Sequence, residues 1–108
     1  MKGYLGAFEE LVLLTIANLG HDAYGVAILN DISERANRNL SIGALHSTLT
    51  RLEEKGYIAS HLGEPTNERG GRRKRYFELT DSAKEELANM KSLRDQLWAG
   101  SKVNLSLK

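Results

Sequence analysis

A cluster of cations around a glycine pair limits what this chain can become. The run Glu68-Arg69-Gly70-Gly71-Arg72-Arg73-Lys74-Arg75-Tyr76 holds five of the fifteen Lys and Arg residues within the seven positions from Arg69 to Arg75. Adjacent glycines take φ > 0 without steric cost, and flanked by strand formers they signal a hairpin turn. Tyr76-Phe77-Glu78-Leu79 then alternates as a strand does. Like charges this dense repel one another, so a purely structural role would disfavour them. The bland alternative is a solvated charged hairpin; the sharper one is a hairpin presented to a polyanion.

Bulk properties narrow the setting. A chain of 108 residues suits one domain with a single modest core. It has no cysteine, which excludes disulfides and thiolate metal sites and is compatible with a reducing cytosol. The apolar run Leu11–Ala17 is far too short to span a bilayer, and no basic leader with a cleavage site precedes it. A cytoplasmic protein without a membrane partner is expected. Net charge is only +1, but its distribution is uneven. Residues 1–40 carry three Lys and Arg against five Asp and Glu, whereas residues 41–80 carry seven against five. Positive charge gathered in one hairpin is the footprint of a site-specific nucleic-acid binder rather than of a charge-coated protein.

Periodicity then orders the chain. A first helix is expected over about Leu5–Asn18, apolar almost all round, so that one side faces its own core and the other a partner subunit. Leu5, Phe8 and Val12 are assigned to that interface. Gly20 stops the helix. A second helix, Gly25–Ala36, buries Val26, Ile28, Leu29 and Ile32, with Gly25 read as permitting close approach of another element. Ser41 is a good N-cap for a third, Ile42–Lys55, ended by Gly56. Its apolar stripe is Ile42, Leu45, Leu49 and Leu52. The opposite face carries Gly43, Ala44, Ser47, Thr50, Arg51 and Glu54, small and polar at its N-terminal end. Such a face can lie deep in a groove and reach base edges or phosphates, although taken alone an ordinary solvated face is the commoner account.

A strand over Tyr57–Leu62, a polar loop over Gly63–Gly71 and a return strand over Arg72–Leu79 complete a hairpin. Three helices followed by a two-stranded hairpin is the order of a winged helix–turn–helix: a mainly α fold with a β-hairpin wing, over residues 1–80. Thr80 and Asp81 cap a last helix reaching about Ala99, with residues 81–108 read as a dimerisation helix and a short tail. Its apolar stripe, Ala83, Leu87, Met90, Leu93, Leu97 and Trp98, has no remaining core to enter and is assigned to a homodimer interface.

Single residues admit two readings each. Tyr24, opening the second helix, suits a phosphate contact or an ordinary core position equally. His46 flanks the third helix within reach of a phosphate, though a lone histidine is more often an ordinary surface residue. His21, His46 and His61 have no metal-ligand spacing, and no cofactor motif is present. Nothing places Ser, His and Asp in a triad, so no enzyme is expected. Trp98 most simply fills an interface with another chain. The competing function is a winged-helix adaptor between proteins, against which the cationic wing argues.

These stretches, in this order, resemble the PadR family of bacterial transcriptional regulators, in its short subclass with a single C-terminal helix. The matching segments are Leu5–Leu14, Ala23–Ile28, Ser41–Leu45, Leu49–Ile58 and Arg69–Thr80. The resemblance implies a winged-helix dimer that represses by binding double-stranded operator DNA in the bacterial cytoplasm and is relieved by an effector or stress signal. It also implies, as the alternative role for Trp98, a platform that stacks a small planar aromatic effector between subunits. The third helix becomes the recognition helix and the Gly70-Gly71 hairpin the wing. Tyr24, Ser41, Gly43, Ala44, His46, Ser47, Thr50 and Arg51, with Arg69, Gly70, Gly71, Arg72, Arg73, Lys74 and Arg75, become the expected DNA contacts. Two positions depart from the family pattern: His46 stands where tyrosine is common, and Ala83 where glycine is common.

Overall fold

The computed structural model describes residues 5–65 and 73–106. It contains α1 (Ala7–Leu19), a 3₁₀ turn (Gly20–Asp22), α2 (Gly25–Ala36), α3 (Ile42–Glu54), β1 (Ile58–Leu62), β2 (Arg75–Leu79) and α4 (Asp81–Ala99). β1 and β2 pair antiparallel, with Ile58 opposite Leu79, Ser60 opposite Phe77 and Leu62 opposite Arg75. This is the expected mainly α fold with a two-stranded hairpin. Ala23 and Tyr24 add to the other edge of β2: Phe77 N–H donates to the Ala23 carbonyl at 2.8 Å, and Tyr24 bridges Tyr76. Nothing in the apolar pattern signals that edge, because two residues are too few to show a period.

The core forms where three helices meet the hairpin. Leu13, Ile16, Ile28, Leu45, Leu52 and Val12 are the largest fully buried side chains, joined by Tyr57, Ile58 and Phe77. Burial of this apolar surface is the main favourable contribution to the fold. α1 divides as a helix apolar all round must: Val12, Leu13 and Ile16 enter the core, while Leu11 and Leu14 remain exposed. Leu5 and Val12, expected at a subunit interface, are thereby corrected. Both are buried within this one chain, so neither is free to meet a partner. Phe8 is half-buried against the core.

Three further expectations change. Val26, expected in the buried stripe of α2, is 45% exposed. Ile42 leaves the α3 stripe and is 43% exposed, while Thr48 is buried in the stripe instead. At 100° per residue the core direction of α3 runs through Leu45, Thr48, Leu49 and Leu52, and Ile42 lies at its margin. Gly25 has open space around it: a Cβ there would meet nothing within 4 Å, so no close approach demands the glycine.

The end of α3 and the start of α4 are fastened together. Gly56 takes φ +82° after the helix, a conformation that favours glycine. Its carbonyl accepts the Thr80 hydroxyl at 2.7 Å, and Thr80 Oγ1 accepts the Ala83 N–H at 3.3 Å as the N-cap of α4. α4 therefore starts inside the core: Ala83 is fully buried, and Leu87 and Met90 pack against the core cluster. That corrects the expectation of a helix with no core to enter. Only beyond Met90 does its stripe emerge, leaving Leu93, Leu97 and Trp98 exposed. No described helix is long and apolar enough to cross a membrane.

Candidate nucleic-acid interface

α3 begins at a well-made cap. Ser41 Oγ accepts the Ala44 N–H at 3.0 Å, satisfying one of the free donors of the first turn. Its hydroxyl remains exposed, as do Gly43, Ala44, His46, Ser47 and Thr50. With the core direction fixed by Leu45, Leu49 and Leu52, Gly43, Ser47 and Thr50 fall on the outermost line of the helix. A Cβ at Gly43 would meet nothing within 4 Å, so the protein's own packing does not require a residue so small there.

One flank of α3 opens onto a cleft of about 530 Å³ that also takes in Tyr24 and Val26 from α2 and Arg73, Lys74 and Arg75 from the hairpin. His46 and Thr50 line its helix side, and Leu49 and Phe77 its buried floor. Three of the five clustered cations are thus brought beside the third helix, although they follow it in the chain only after the first strand and the loop. Arg69, Gly70, Gly71 and Arg72, also expected as contacts, lie outside the described residues.

Two of these three cations are held by identifiable partners. Lys74 Nζ sits 4.1 Å above the centre of the Tyr24 ring, an attraction between charge and π-face. Tyr24 meets Tyr76 edge-on at 5.6 Å, and His61 stacks on the other side of Tyr76 at 5.8 Å. Tyr24 is half-buried at the N-cap of α2. Gly63 completes this packing: a Cβ there would lie 2.5 Å from Tyr76 Cε1, and Gly63 N–H donates to the Lys74 carbonyl at 2.7 Å. Arg75 turns toward α3, donating to Ser60 Oγ, which donates to Glu53; both distances are 3.0 Å. That chain ties the hairpin to the helix. Arg73 is exposed at the cleft.

Arg51 is placed differently from the rest of its expected face. It lies on the opposite flank, where Arg51 Nε and Lys55 Nζ approach Glu9 Oε2 at 3.4 and 3.0 Å. Arg51 also donates to Thr48 Oγ1 at 3.4 Å. The Glu9 carboxylate is buried, and its other oxygen accepts the Gly6 N–H at 2.9 Å. Burial alone would push this carboxyl up. The Gly6 N–H, Lys55 and Arg51 together outweigh burial and hold it below the ordinary carboxylate range. Next to it, Glu10 accepts from Arg94 of α4 at 2.6 Å.

Sequence reasoning missed Ile42, Val26, Glu53, Ser60 and Tyr76 as parts of this surface, and Glu9 as its support. Of these, only the His61–Tyr76 pair carries a usable signal, since two aromatic rings directly opposite in a hairpin pack together once the register is known.

Comparison with known proteins places the arrangement. A family model described as the transcriptional regulator PadR-like family matches residues 12–89. A PadR-like transcriptional regulator from Bacillus cereus is 20% identical, covering 87% of this chain and 86% of its own, with a TM-score of 0.72. A PadR family transcription regulator from Clostridium difficile is 23% identical, covering 86% of this chain and 93% of its own, with a TM-score of 0.68. At such identities the solved structures share the fold. No curated protein matches the sequence. The family match runs from the first helix through the cleft and into α4, so the elements that build this surface are those the family shares: the chain belongs to the PadR-like family of transcriptional regulators.

Proposed function

We propose that this DNA-binding regulator acts as a homodimeric repressor, each copy reading one half of a pseudo-palindromic operator. The supporting observation is that His46 and Thr50, flanking the exposed Gly43–Ser47 line of α3, share one cleft with Arg73 and Lys74. Small polar side chains on a capped helix admit a close approach to base edges, and cations at its side neutralise phosphate. His46 and Tyr24, both at the cleft, are assigned to the backbone. Ser41, Gly43, Ala44, Ser47 and Thr50 are assigned to sequence reading. Arg51, engaged by Glu9 on the other flank, is assigned to holding the helix, with phosphate contact secondary.

Residues 1–80 form the reading unit, and 81–108 the dimerisation helix and tail. Leu93, Leu97 and Trp98 supply the dimer contact on α4, continuous with the half-buried Leu87 and Met90, and Phe8 lies on the same assigned interface. A two-fold dimer asks for half-sites about 34–36 Å apart, or a multiple of that. Trp98, 64% exposed in one chain, is also where a planar aromatic effector would stack between subunits and alter the spacing of the two reading helices. Coupling of that kind is reciprocal: effector and DNA change each other's affinity by the same factor.

Selection of duplexes from random-sequence DNA, followed by affinity measurement with Arg73→Ala/Lys74→Ala protein, tests the proposal. A selected palindromic duplex whose binding is lost in the variant, with dimerisation intact, is the expected result. A protein that selects no sequence would leave the adaptor reading in its place, and binding indifferent to the two cations would remove Arg73 and Lys74 from the interface.

A further inference from the structure

Two large apolar side chains sit where a polyanion-facing cleft has no use for them as core. Ile42 and Val26 are 43% and 45% exposed, yet both line the cleft with His46, Thr50, Arg73 and Lys74. The other exposed large apolar residues among those described belong to α1, α4, the tail and Leu62. Neither side chain can pair with a phosphate, and leaving this much apolar surface in water has a cost that binding can recover. Ile42 is the first residue of α3, and N-terminal residues of a recognition helix are the ones that meet base edges. The apolar feature that a base pair offers in the major groove is the 5-methyl group of thymine. A β-branched side chain is stiff at χ1, so its methyl groups are fixed before contact and little rotamer freedom is lost on meeting a partner.

We infer that Ile42, with Val26 lining the same cleft, forms an apolar seat for one thymine methyl in each half-site, making Ile42 a specificity-determining residue. The inference rests on the operator-binding reading and names one base feature it recognises. It also gives a use to the exposure of Ile42 at the margin of the core stripe, whose inner face buried Thr48 completes.

The test replaces each thymine of the selected duplex in turn with deoxyuridine, which removes the methyl and keeps every hydrogen-bonding group. One thymine per half-site should be sensitive. Burial of one methyl is worth about 0.8 kcal/mol, so the affinity loss should be about fourfold for one half-site and roughly fifteenfold for both. Ile42→Ala protein should bind the thymine and uracil duplexes equally at that position. Val26→Ala, which leaves α3 untouched, should reduce the same penalty and alter no other. A selective duplex indifferent to uracil everywhere would overturn the methyl seat and leave operator binding standing. A penalty unchanged in both variants would also overturn it, by locating the methyl effect in groove shape. Recovery of no selective duplex would overturn the operator reading itself.

Discussion

Glu9 offers the most direct check on how α3 is held. Glu9→Gln keeps an oxygen to accept the Gly6 N–H, now 2.9 Å from Oε1, and removes only the charge facing Lys55 and Arg51. A hydrogen bond to a charged group contributes about 1.5–3 kcal/mol when well shielded. Here the two cations keep 40% and 52% of their side-chain surface, and ion pairs of that exposure are worth roughly 0.2–1 kcal/mol each. Removing a buried charge also relieves its desolvation, which works the other way. The net expectation is a loss of about 1 kcal/mol at pH 7, lowering Tm by roughly 4 °C for a domain of this size. The pH dependence is the sharper part. The folded-state pKa of Glu9 lies below its ordinary value of 4.5, so its contribution is fully present above 4.5 and is lost as pH falls through the folded value. Urea unfolding of both proteins at one fixed protein concentration, from pH 7 to pH 3, should show a gap that is constant down to about 4.5 and closes below it. A gap of zero at pH 7, or one that does not change through the acid range, would refute the account of Glu9 as a charged anchor.

Other consequences follow from single contacts. Gly63→Ala would drive a methyl into Tyr76, which is wedged between Tyr24 and His61 and has little room to yield; a destabilisation of about 1–3 kcal/mol is expected by thermal melting. If α4 forms the proposed dimer, Trp98→Ala should move the midpoint of a sedimentation-equilibrium titration to higher protein concentration, and it should abolish binding of planar aromatic cations followed through the ligand's own absorbance. If Arg73 contacts one phosphate in each half of a dimer, Arg73→Ala should flatten the salt dependence of operator affinity by about 1.8 in the log–log slope. An unchanged slope would remove Arg73 from the interface.

Much of the fold was legible because local rules and global packing agree. Ser41 as a cap, Gly56 after α3, the two-stranded hairpin and the core positions Ile28, Leu45, Leu52 and Phe77 all follow from short-range chemistry or simple periods, and all are found. The misreadings share one cause. Leu5, Val12, Val26 and Ile42 are apolar residues whose cover depends on which neighbour arrives: the apolar pattern around Leu5 and Val12 runs almost all round, and Val26 and Ile42 lie at the edges of their stripes, so none of these patterns encodes that choice. Glu9 was unreadable for a related reason: an acidic residue in a first turn looks like ordinary helix-dipole chemistry until α3 brings Arg51 and Lys55 against it.

The sequence by itself determined the partner class, since clustered cations and a capped, small-faced helix are written in consecutive residues. It also determined the order of elements that marks the family. Tertiary structure alone decided which cations do what. Arg73 and Lys74 share a cleft with α3, Arg75 is bound back to the helix through Ser60 and Glu53, and Arg51 is turned to the far flank. The physical reason is that charge is a property of a residue, whereas the direction in which it acts belongs to the packing around it.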